Sequence, residues 1–189
     1  MPNQVFSQSV LMQDMQTILI AAITLDGKIA KNAGHNNNWT SKADKKIFRS
    51  EVKKAGAVIF GAGTYQAMGC RALPDALNII MTRTPARYQA RSVVGQLEFT
   101  DDSPPALIDK LKNRDYTRLI IAGGQSIYSL FLQANLVQKI YLTIAPKIFG
   151  GGLNLFKEIR DLSLNFNLLS TRRLGQDEVL LKYKVKIKN

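Results

Sequence analysis

The stretch IIAGGQSIY at Ile120–Tyr128 decides the fold class of this chain, because it joins an apolar run to a glycine pair and to the start of a helical pattern. The run is typical of a strand buried on both faces, and Gly123 and Gly124 are typical of a tight turn into a helix that continues to about Gln133. A glycine pair at the carboxyl end of a buried strand also lets a phosphate approach backbone N–H groups, where the helix dipole favours negative charge. From the residues alone, a nucleotide site and a plain tight turn are equally good interpretations.

Other apolar runs of strand type lie on both sides of this unit, and amphipathic helical patterns separate them. Strands are predicted at 17–24, 57–61, 77–83, 119–122, 139–145, 165–174 and 179–188, and helices at 41–55, 64–68, 103–114 and 125–133. The alternation predicts an α/β fold with about eight strands in a largely parallel sheet, about four helices and a C-terminal antiparallel hairpin. We expect one domain over residues 17–189, preceded by an extension over residues 1–16.

The last predicted strand alternates two kinds of side chain. Its apolar residues are Leu181, Tyr183, Val185 and Ile187, and they alternate with Lys182, Lys184, Lys186 and Lys188. This period of two predicts one apolar and one cationic face. We expect the lysine face to be exposed, where it discourages pairing with other strands; a stripe that binds nucleic acid is the alternative interpretation.

Composition excludes several classes of protein. The 189 residues include one cysteine, Cys70, and one histidine, His35. One cysteine excludes an intrachain disulfide framework, and one histidine excludes sites built from several imidazoles, so we predict no metal site and expect His35 to be a solvated loop residue. No apolar stretch reaches the roughly 18 to 20 residues that span a bilayer, and the N-terminus lacks a secretion signal pattern. We therefore expect a cytoplasmic protein without a membrane segment.

Positive charge dominates the chain, because 26 Lys and Arg residues stand against 14 Asp and Glu residues and give a formal charge of +12. An excess of this size implies an anionic partner. A basic nucleic-acid-binding module is one hypothesis, but the positive charge is spread from Lys28 to Lys188 and aromatic residues are not interleaved with it as stacking platforms. We therefore favour a small anionic molecule as the partner and leave a homodimer open.

A second glycine turn lies at Gly61–Gln66, which reads GAGTYQ. It resembles the start of a dinucleotide fingerprint, but Gln66 stands where the third glycine belongs, and no ribose-binding acid follows about 20 residues later. Thr82 and Arg83 end the strand that comes there instead. A hydroxyl and a guanidinium at the end of a strand suit a 2′-phosphate and predict NADP rather than NAD, although a solvated arginine is the commoner reason for this pattern.

The long polar loop at 25–38 leads to Trp39 and then to Asp44 in the first turn of a predicted helix. An aromatic wall beside a carboxyl in a partly dry cleft raises the pKa of that carboxyl, which can then protonate a substrate near neutral pH. The alternative is structural, because Ser41 and Asp44 have the spacing of a capping box. In that interpretation Asp44 serves only the helix.

The order of these motifs carries a resemblance that covers residues 17–188. TILIAAITLDGKIA, Trp39 with Asp44, VIFGAGTY, LNIIMTR, LIIAGGQSIYSLFL and KIYLTIAPKIFGGG together resemble the dihydrofolate reductase-like superfamily. Within it, LDGKIA at 25–30 and APKIFGGG at 145–152 most resemble the reductase domain of the bifunctional deaminase-reductase of riboflavin biosynthesis. The resemblance implies an NADPH-dependent reductase with an eight-stranded central sheet.

The resemblance also implies roles for particular residues. It implies that the cofactor is lined by Ala22, Gly61, Gly63, Thr64, Thr82, Arg83, Gly123, Gly124, Ser126, Ile127 and Tyr128. It implies that the substrate is faced by Trp39, Phe48 and Thr143, with Asp44 as the acid.

Two departures from the family pattern bear on the substrate. Ala76 stands where folate-reducing members have the arginine that binds the folate tail, and residues 66–71 (QAMGCR) replace the Asp-Asp-Pro segment of the riboflavin-pathway members. We expect reduction of 5-amino-6-(5-phosphoribosylamino)uracil or a similar pyrimidine or pterin, with dihydrofolate reduction as the alternative and the nucleic-acid-binding module as a more distant one.

Overall fold

A computed structural model of the chain describes residues 15–36, 38–159 and 162–186. The strands are β1 (Gln16–Thr24), β2 (Lys28–Ala30), β3 (Ala57–Gly61), β4 (Leu77–Met81), β5 (Leu97–Thr100), β6 (Arg118–Ile121), β7 (Lys139–Ala145), β8 (Leu153–Asn154), β9 (Phe166–Leu174) and β10 (Glu178–Val185). The α-helices are α1 (Lys42–Ala55), α2 (Ala62–Ala67), α3 (Pro104–Lys112) and α4 (Gln125–Gln133), and a 3₁₀ helix spans Pro85–Arg91. Of the described helices, none is both long and apolar enough to cross a bilayer.

Eight of the strands form one sheet in the order β5-β4-β3-β6-β1-β7-β10-β9. All pairs from β5 to β7 are parallel, whereas β10 pairs antiparallel with both β7 and β9. This arrangement confirms the predicted α/β fold, with a mostly parallel eight-stranded sheet and a C-terminal antiparallel hairpin. The short strands β2 and β8 form a separate antiparallel pair.

The core has two layers because successive residues of the central strands point to opposite faces of the sheet. In β6, Leu119 and Ile121 pack with residues of α3 and α4 such as Phe131, whereas Ile120 packs on the other face with Val52 of α1. All three β6 residues are fully buried. Burial on both faces explains why this part of the chain is a continuous apolar run rather than an alternating one.

Several elements differ from the sequence prediction. The polar loop at 25–38 contains β2, and β5 together with the 3₁₀ helix at Pro85–Arg91 was not predicted at all. The strand predicted at 77–83 ends at Met81, so Thr82 and Arg83 lie just beyond it. These elements are short, and apolar and polar residues do not alternate over enough positions in them to distinguish them from loops.

The predicted exposed lysine face of the last strand is wrong at Lys182. The ammonium of Lys182 lies 4.1 Å from the ring centroid of Tyr141 and 3.8 Å from Glu51 of α1. α1 covers this face of β10, and Leu180, two residues before Lys182 on the same face, is buried in the core with Val52 of α1. Lys184 and Lys186 are exposed as expected, whereas Ile187 and Lys188 lie outside the described residues.

The predicted N-terminal extension at 1–16 lies outside the described residues except for its last two, and Met15 belongs to the buried core. The division between an extension and a domain over 17–189 stays a prediction.

Candidate active site

A cleft of about 940 Å³ opens where β1, β3, β4 and β6 reach their carboxyl ends. Open α/β sheets bind ligands in this position, because the loops that leave the parallel strands converge there. Apart from those loops, the walls come from α1, α2, α4 and the segment around β2.

Most of the residues that the resemblance implies line this cleft. The cofactor residues among them are Ala22, Gly61, Gly63, Thr64, Thr82, Arg83, Gly124, Ser126, Ile127 and Tyr128, and the substrate residues are Trp39, Asp44 and Phe48. Two do not line it. Gly123 is buried below the surface of the cleft, where its carbonyl accepts a hydrogen bond from the Gly61 amide at 2.7 Å, and Thr143 is buried in β7.

The turn between β6 and α4 admits only glycine at position 123. Gly123 has a φ of +102°, and a Cβ on this residue would lie 2.7 Å from the Tyr128 ring. Tyr128 itself is held by a hydrogen bond of 2.7 Å from its hydroxyl to the Ile20 carbonyl. Gly124 then caps α4, whose first N–H groups have no partner within the helix. The turn can therefore present backbone donors to an anion in the cleft.

Gln125, the first residue of α4, adds a polar group to this turn. Its Oε1 is buried and has no hydrogen-bond partner among the described residues, although the residue lines the cleft. A buried acceptor without a partner is costly in a folded protein. A ligand with a hydroxyl or amide donor would satisfy it.

Beyond the end of β4, Thr82 and Arg83 form the opposite rim of the cleft. The Thr82 amide pairs with the Thr100 carbonyl of β5 at 2.8 Å, which fixes the backbone at this point. The Arg83 side chain is exposed and forms no salt bridge within the described part of the chain. Its guanidinium is thus available to an anionic group of a ligand.

Asp44 lies in the first turn of α1, but its carboxyl does not complete a capping box. The Asp44 amide donates to Ser41 Oγ at 3.1 Å, which is the expected half of the motif. The other half is absent, because the Ser41 amide donates to Glu178 Oε1 at 2.9 Å. The Asp44 carboxyl is directed to the hydroxyls of Thr143 and Thr40 and lines the cleft.

Burial raises the pKa of Asp44 above its ordinary value, and the nearby negative charge of Glu178 acts in the same direction. Hydrogen bonds from the Thr143 and Thr40 hydroxyls and the charge of Lys45 oppose this rise in pKa without cancelling it. A carboxyl in this environment holds its proton at a higher pH than an exposed aspartate does.

Sequence reasoning missed several residues of the cleft. These are Asn32, His35, Lys45, Gln125, Lys157 and Glu158. His35 lies in a loop, as predicted, but it is half-buried and makes contacts: its Nδ1 accepts from the Lys31 amide at 3.2 Å and its ring lies edge-on to Phe149. No local pattern indicates that Phe149, more than 100 residues away, would cover this loop.

A family model described as the RibD C-terminal domain matches residues 16–180 of the chain. The uncharacterized protein YwjB of Bacillus subtilis is 25% identical over 170 residues, which is 86% of this chain and 94% of that protein. A putative dihydrofolate reductase of Caenorhabditis elegans is 30% identical over 149 residues, or 72% of this chain and 75% of that protein. RibD of Aquifex aeolicus is 24% identical over 203 residues, and there the match covers 84% of this chain but only 55% of that longer protein.

Solved structures share the fold. A putative riboflavin biosynthesis protein of Shewanella sp. PV-4 superposes with a TM-score of 0.74 at 21% identity, over 92% of this chain and all of that one. Dihydrofolate reductase from Enterococcus faecalis, complexed with NADP(H), superposes with a TM-score of 0.70 at 23% identity, over 91% of this chain and 97% of that one.

Proposed function

The chain belongs to the RibD C-terminal domain family, and from that premise we propose that it is an NADPH-dependent reductase of a small anionic pyrimidine, similar to 5-amino-6-(5-phosphoribosylamino)uracil. The similarity to proteins named as RibD and as putative dihydrofolate reductase supports an oxidoreductase of the pyrimidine and pterin reductase type. The observation that carries the finer proposal is that the buried Asp44 carboxyl and the glycine turn at Gly124 line the same cleft.

The residues of the cleft fit a dinucleotide phosphate. The turn at Gly124 offers backbone N–H groups to a pyrophosphate, and the buried Gln125 Oε1 without a partner suits a hydroxyl or carboxamide donor. Arg83 and Thr82 offer a guanidinium and a hydroxyl to a 2′-phosphate. Gly61, Gly63, Thr64 and Ala22 leave space between these groups, and Ser126, Ile127 and Tyr128 form the wall from α4.

When bound, the dihydronicotinamide supplies a hydride. The chain's own residues orient the substrate, exclude water and deliver a proton. Trp39 and Phe48 form apolar walls beside Asp44, and the Thr143 hydroxyl holds the Asp44 carboxyl in place. Because burial raises the pKa of Asp44, this carboxyl retains a proton that it can donate to a substrate nitrogen or oxygen, directly or through a water.

The residue at position 76 favours a pyrimidine over a folate as the substrate. Phe48 and Met68 line the side of the cleft formed by α1 and α2. Folate-reducing members have an arginine at the position of Ala76, whereas Ala76 carries no charge and packs against the apolar core. Lys45 and Lys157 also line the cleft and can attract an anionic substrate. Without the arginine, the KM for dihydrofolate should rise more than kcat falls, because the folate tail is remote from the reacting ring.

A side-by-side assay tests the proposal. The oxidation of NADPH is followed by absorbance with dihydrofolate and with 5-amino-6-(5-phosphoribosylamino)uracil as substrates. We expect turnover with the pyrimidine and a KM for dihydrofolate far above the micromolar range. A micromolar KM for dihydrofolate without pyrimidine turnover would favour the alternative, dihydrofolate reduction, for which the C. elegans relative provides the support.

Localisation in the cytoplasm and assembly as a homodimer stay predictions.

A further inference from the structure

Glu178 is a buried carboxylate that is bound to the start of α1. Its side chain is in the first position of β10, and the residue is only 6% exposed. The Ser41 amide donates to its Oε1 at 2.9 Å, and the Ser41 hydroxyl donates to its Oε2. No salt bridge joins Glu178 to a cation within the described residues.

This contact replaces half of the capping box. In a capping box, the acid three residues after the cap accepts from the amide of the capping serine. Here that acid would be Asp44, but Glu178, 137 residues after Ser41, accepts from the Ser41 amide instead. Asp44 contributes only its amide to the cap, and its carboxyl is free for the hydroxyls of Thr143 and Thr40.

We propose that Glu178 is a positioning residue for Asp44: its carboxyl binds Ser41 at the start of α1 in the place of the Asp44 carboxyl, which is thereby left to face the cleft. This inference rests on the proposed function, in which Asp44 is the proton donor. Glu178 reaches no substrate or cofactor itself, since it does not line the cleft. Its effect passes through Ser41 and through the electric field at Asp44.

The groups around Asp44 make the direction of this effect clear. Burial raises the pKa of Asp44 most, and the negative charge of Glu178 from β10 raises it further. The Thr143 and Thr40 hydroxyls and the charge of Lys45 from α1 lower it. Burial raises the pKa of the Tyr128 phenol of α4, and the nearby charge of Asp44 raises it further. The Glu178 carboxyl lies at the N-terminus of the 14-residue helix α1, where the helix dipole favours a negative charge.

The test measures Asp44 directly and therefore does not depend on activity. The carboxyl carbon of Asp44 is titrated by NMR in the ligand-free protein, in wild type and in Glu178→Gln, which keeps an acceptor for the Ser41 amide but removes the charge. Asp177→Asn is the matched control, because Asp177 is the neighbouring acid, with a side chain that is 67% exposed. We expect the titration of Asp44 to move to lower pH in Glu178→Gln and to stay in place in Asp177→Asn.

A second variant, Ser41→Ala, tests the proposal independently if the Glu178→Gln protein does not fold. Ser41→Ala keeps the Glu178 charge but removes the hydroxyl that links Glu178 to the Asp44 amide. We expect faster hydrogen exchange at the Asp44 amide, an unchanged titration of Asp44, and a kcat for NADPH and the pyrimidine that falls by roughly tenfold because the acid is less well positioned.

The outcomes separate the two proposals. An Asp44 titration that is the same in Glu178→Gln as in wild type, or the same amide exchange at Asp44 in Ser41→Ala as in wild type, overturns the role of Glu178. A shifted titration in a protein that oxidises NADPH with neither substrate supports the role of Glu178 and contradicts the proposed function.

Discussion

The indole ring of Trp39 lies edge-on to the phenyl ring of Phe149, with the ring centroids 5.3 Å apart. The Phe149 amide donates to Asp26 Oδ1 at 3.2 Å, and the Gly150 amide donates to Asp26 Oδ2 at 2.9 Å. Asp26 belongs to the loop after β1, and Phe149 to the loop after β7. These contacts therefore join the two loops beside Trp39, which lines the cleft. Trp39 reports on them because it is the only tryptophan of the chain.

The contact between Asp26 and the Phe149 loop should depend on pH. A hydrogen bond from the Thr24 hydroxyl, with smaller contributions from the Phe149 and Gly150 amides, lowers the pKa of Asp26 below its ordinary value of 3.8. A carboxyl with a lowered pKa stabilises the fold fully above its ordinary pKa and loses that contribution as the pH falls through the lowered value. We expect the fluorescence of Trp39 to change below about pH 4, before the far-UV circular dichroism signal of the sheet is lost.

Asp26→Asn is the matched variant for this titration. Asn cannot bind both amides as a charged carboxylate does, so the tryptophan signal of the variant at neutral pH should already resemble that of the acid form of wild type. A fluorescence transition in Asp26→Asn with the same midpoint as in wild type would assign the signal to another group.

Two glycines of the β7–β8 loop allow the effect of backbone strain on stability to be measured separately from the effect of a steric clash. Gly150 and Gly152 both have positive φ angles, +73° and +121°. A Cβ on Gly150 would meet nothing within 4 Å, whereas a Cβ on Gly152 would lie 2.2 Å from the Ala30 carbonyl oxygen of β2. We expect Gly150→Ala to lower the free energy of unfolding by about 1 to 2 kcal/mol through backbone strain, and Gly152→Ala to lower it by about 1 to 3 kcal/mol more through the clash. Urea unfolding of both variants measures the difference, and equal losses would show that the contact with Ala30 is not tight.

Arg83 should determine which dinucleotide binds. We expect wild type to bind NADPH more tightly than NADH, and Arg83→Ala to lose about 1.5 to 3 kcal/mol with NADPH only, or roughly 10- to 150-fold in affinity. Arg87→Ala is the control, since Arg87 is also an exposed arginine nearby but does not line the cleft. Calorimetric titration with both cofactors decides the question, and equal affinities of wild type for NADH and NADPH would remove the 2′-phosphate role of Arg83.

The sequence predicts the central strands and most of the cleft because their signals are local. The run before Gly123 is uniformly apolar since both faces of β6 are buried, and Ser41 and Ser103 mark the starts of α1 and α3 as side-chain caps. The residues at the carboxyl ends of parallel strands then meet at one edge of the sheet, whatever the details of the loops.

The rest depends on contacts between distant parts of the chain. The pairing of β2 with β8 joins Lys28 to Asn154, and the cap of α1 needs Glu178. No spacing in the sequence indicates such pairs. The alternation in β10 predicts an exposed Lys182, because it does not indicate that α1, more than 120 residues earlier in the chain, covers this face of the strand.

Asp44→Asn should separate catalysis from helix capping. The cap uses the Asp44 amide and not its carboxyl, so Asn at this position leaves the hydrogen bond to Ser41 intact. The pKa of Asp44 is raised by burial, which means that its ionisation opposes folding as the pH rises through that value. The Asp44→Asn variant should therefore be at least as stable as wild type at neutral pH, while its turnover with NADPH and the pyrimidine falls by about 10²-fold or more because Asn has no acidic proton. Ser41→Ala should instead lower the free energy of unfolding by about 0.5 to 2 kcal/mol and retain more turnover than Asp44→Asn. Melting temperature and kcat of both variants provide the measurement, and unchanged turnover in Asp44→Asn would remove Asp44 from the mechanism.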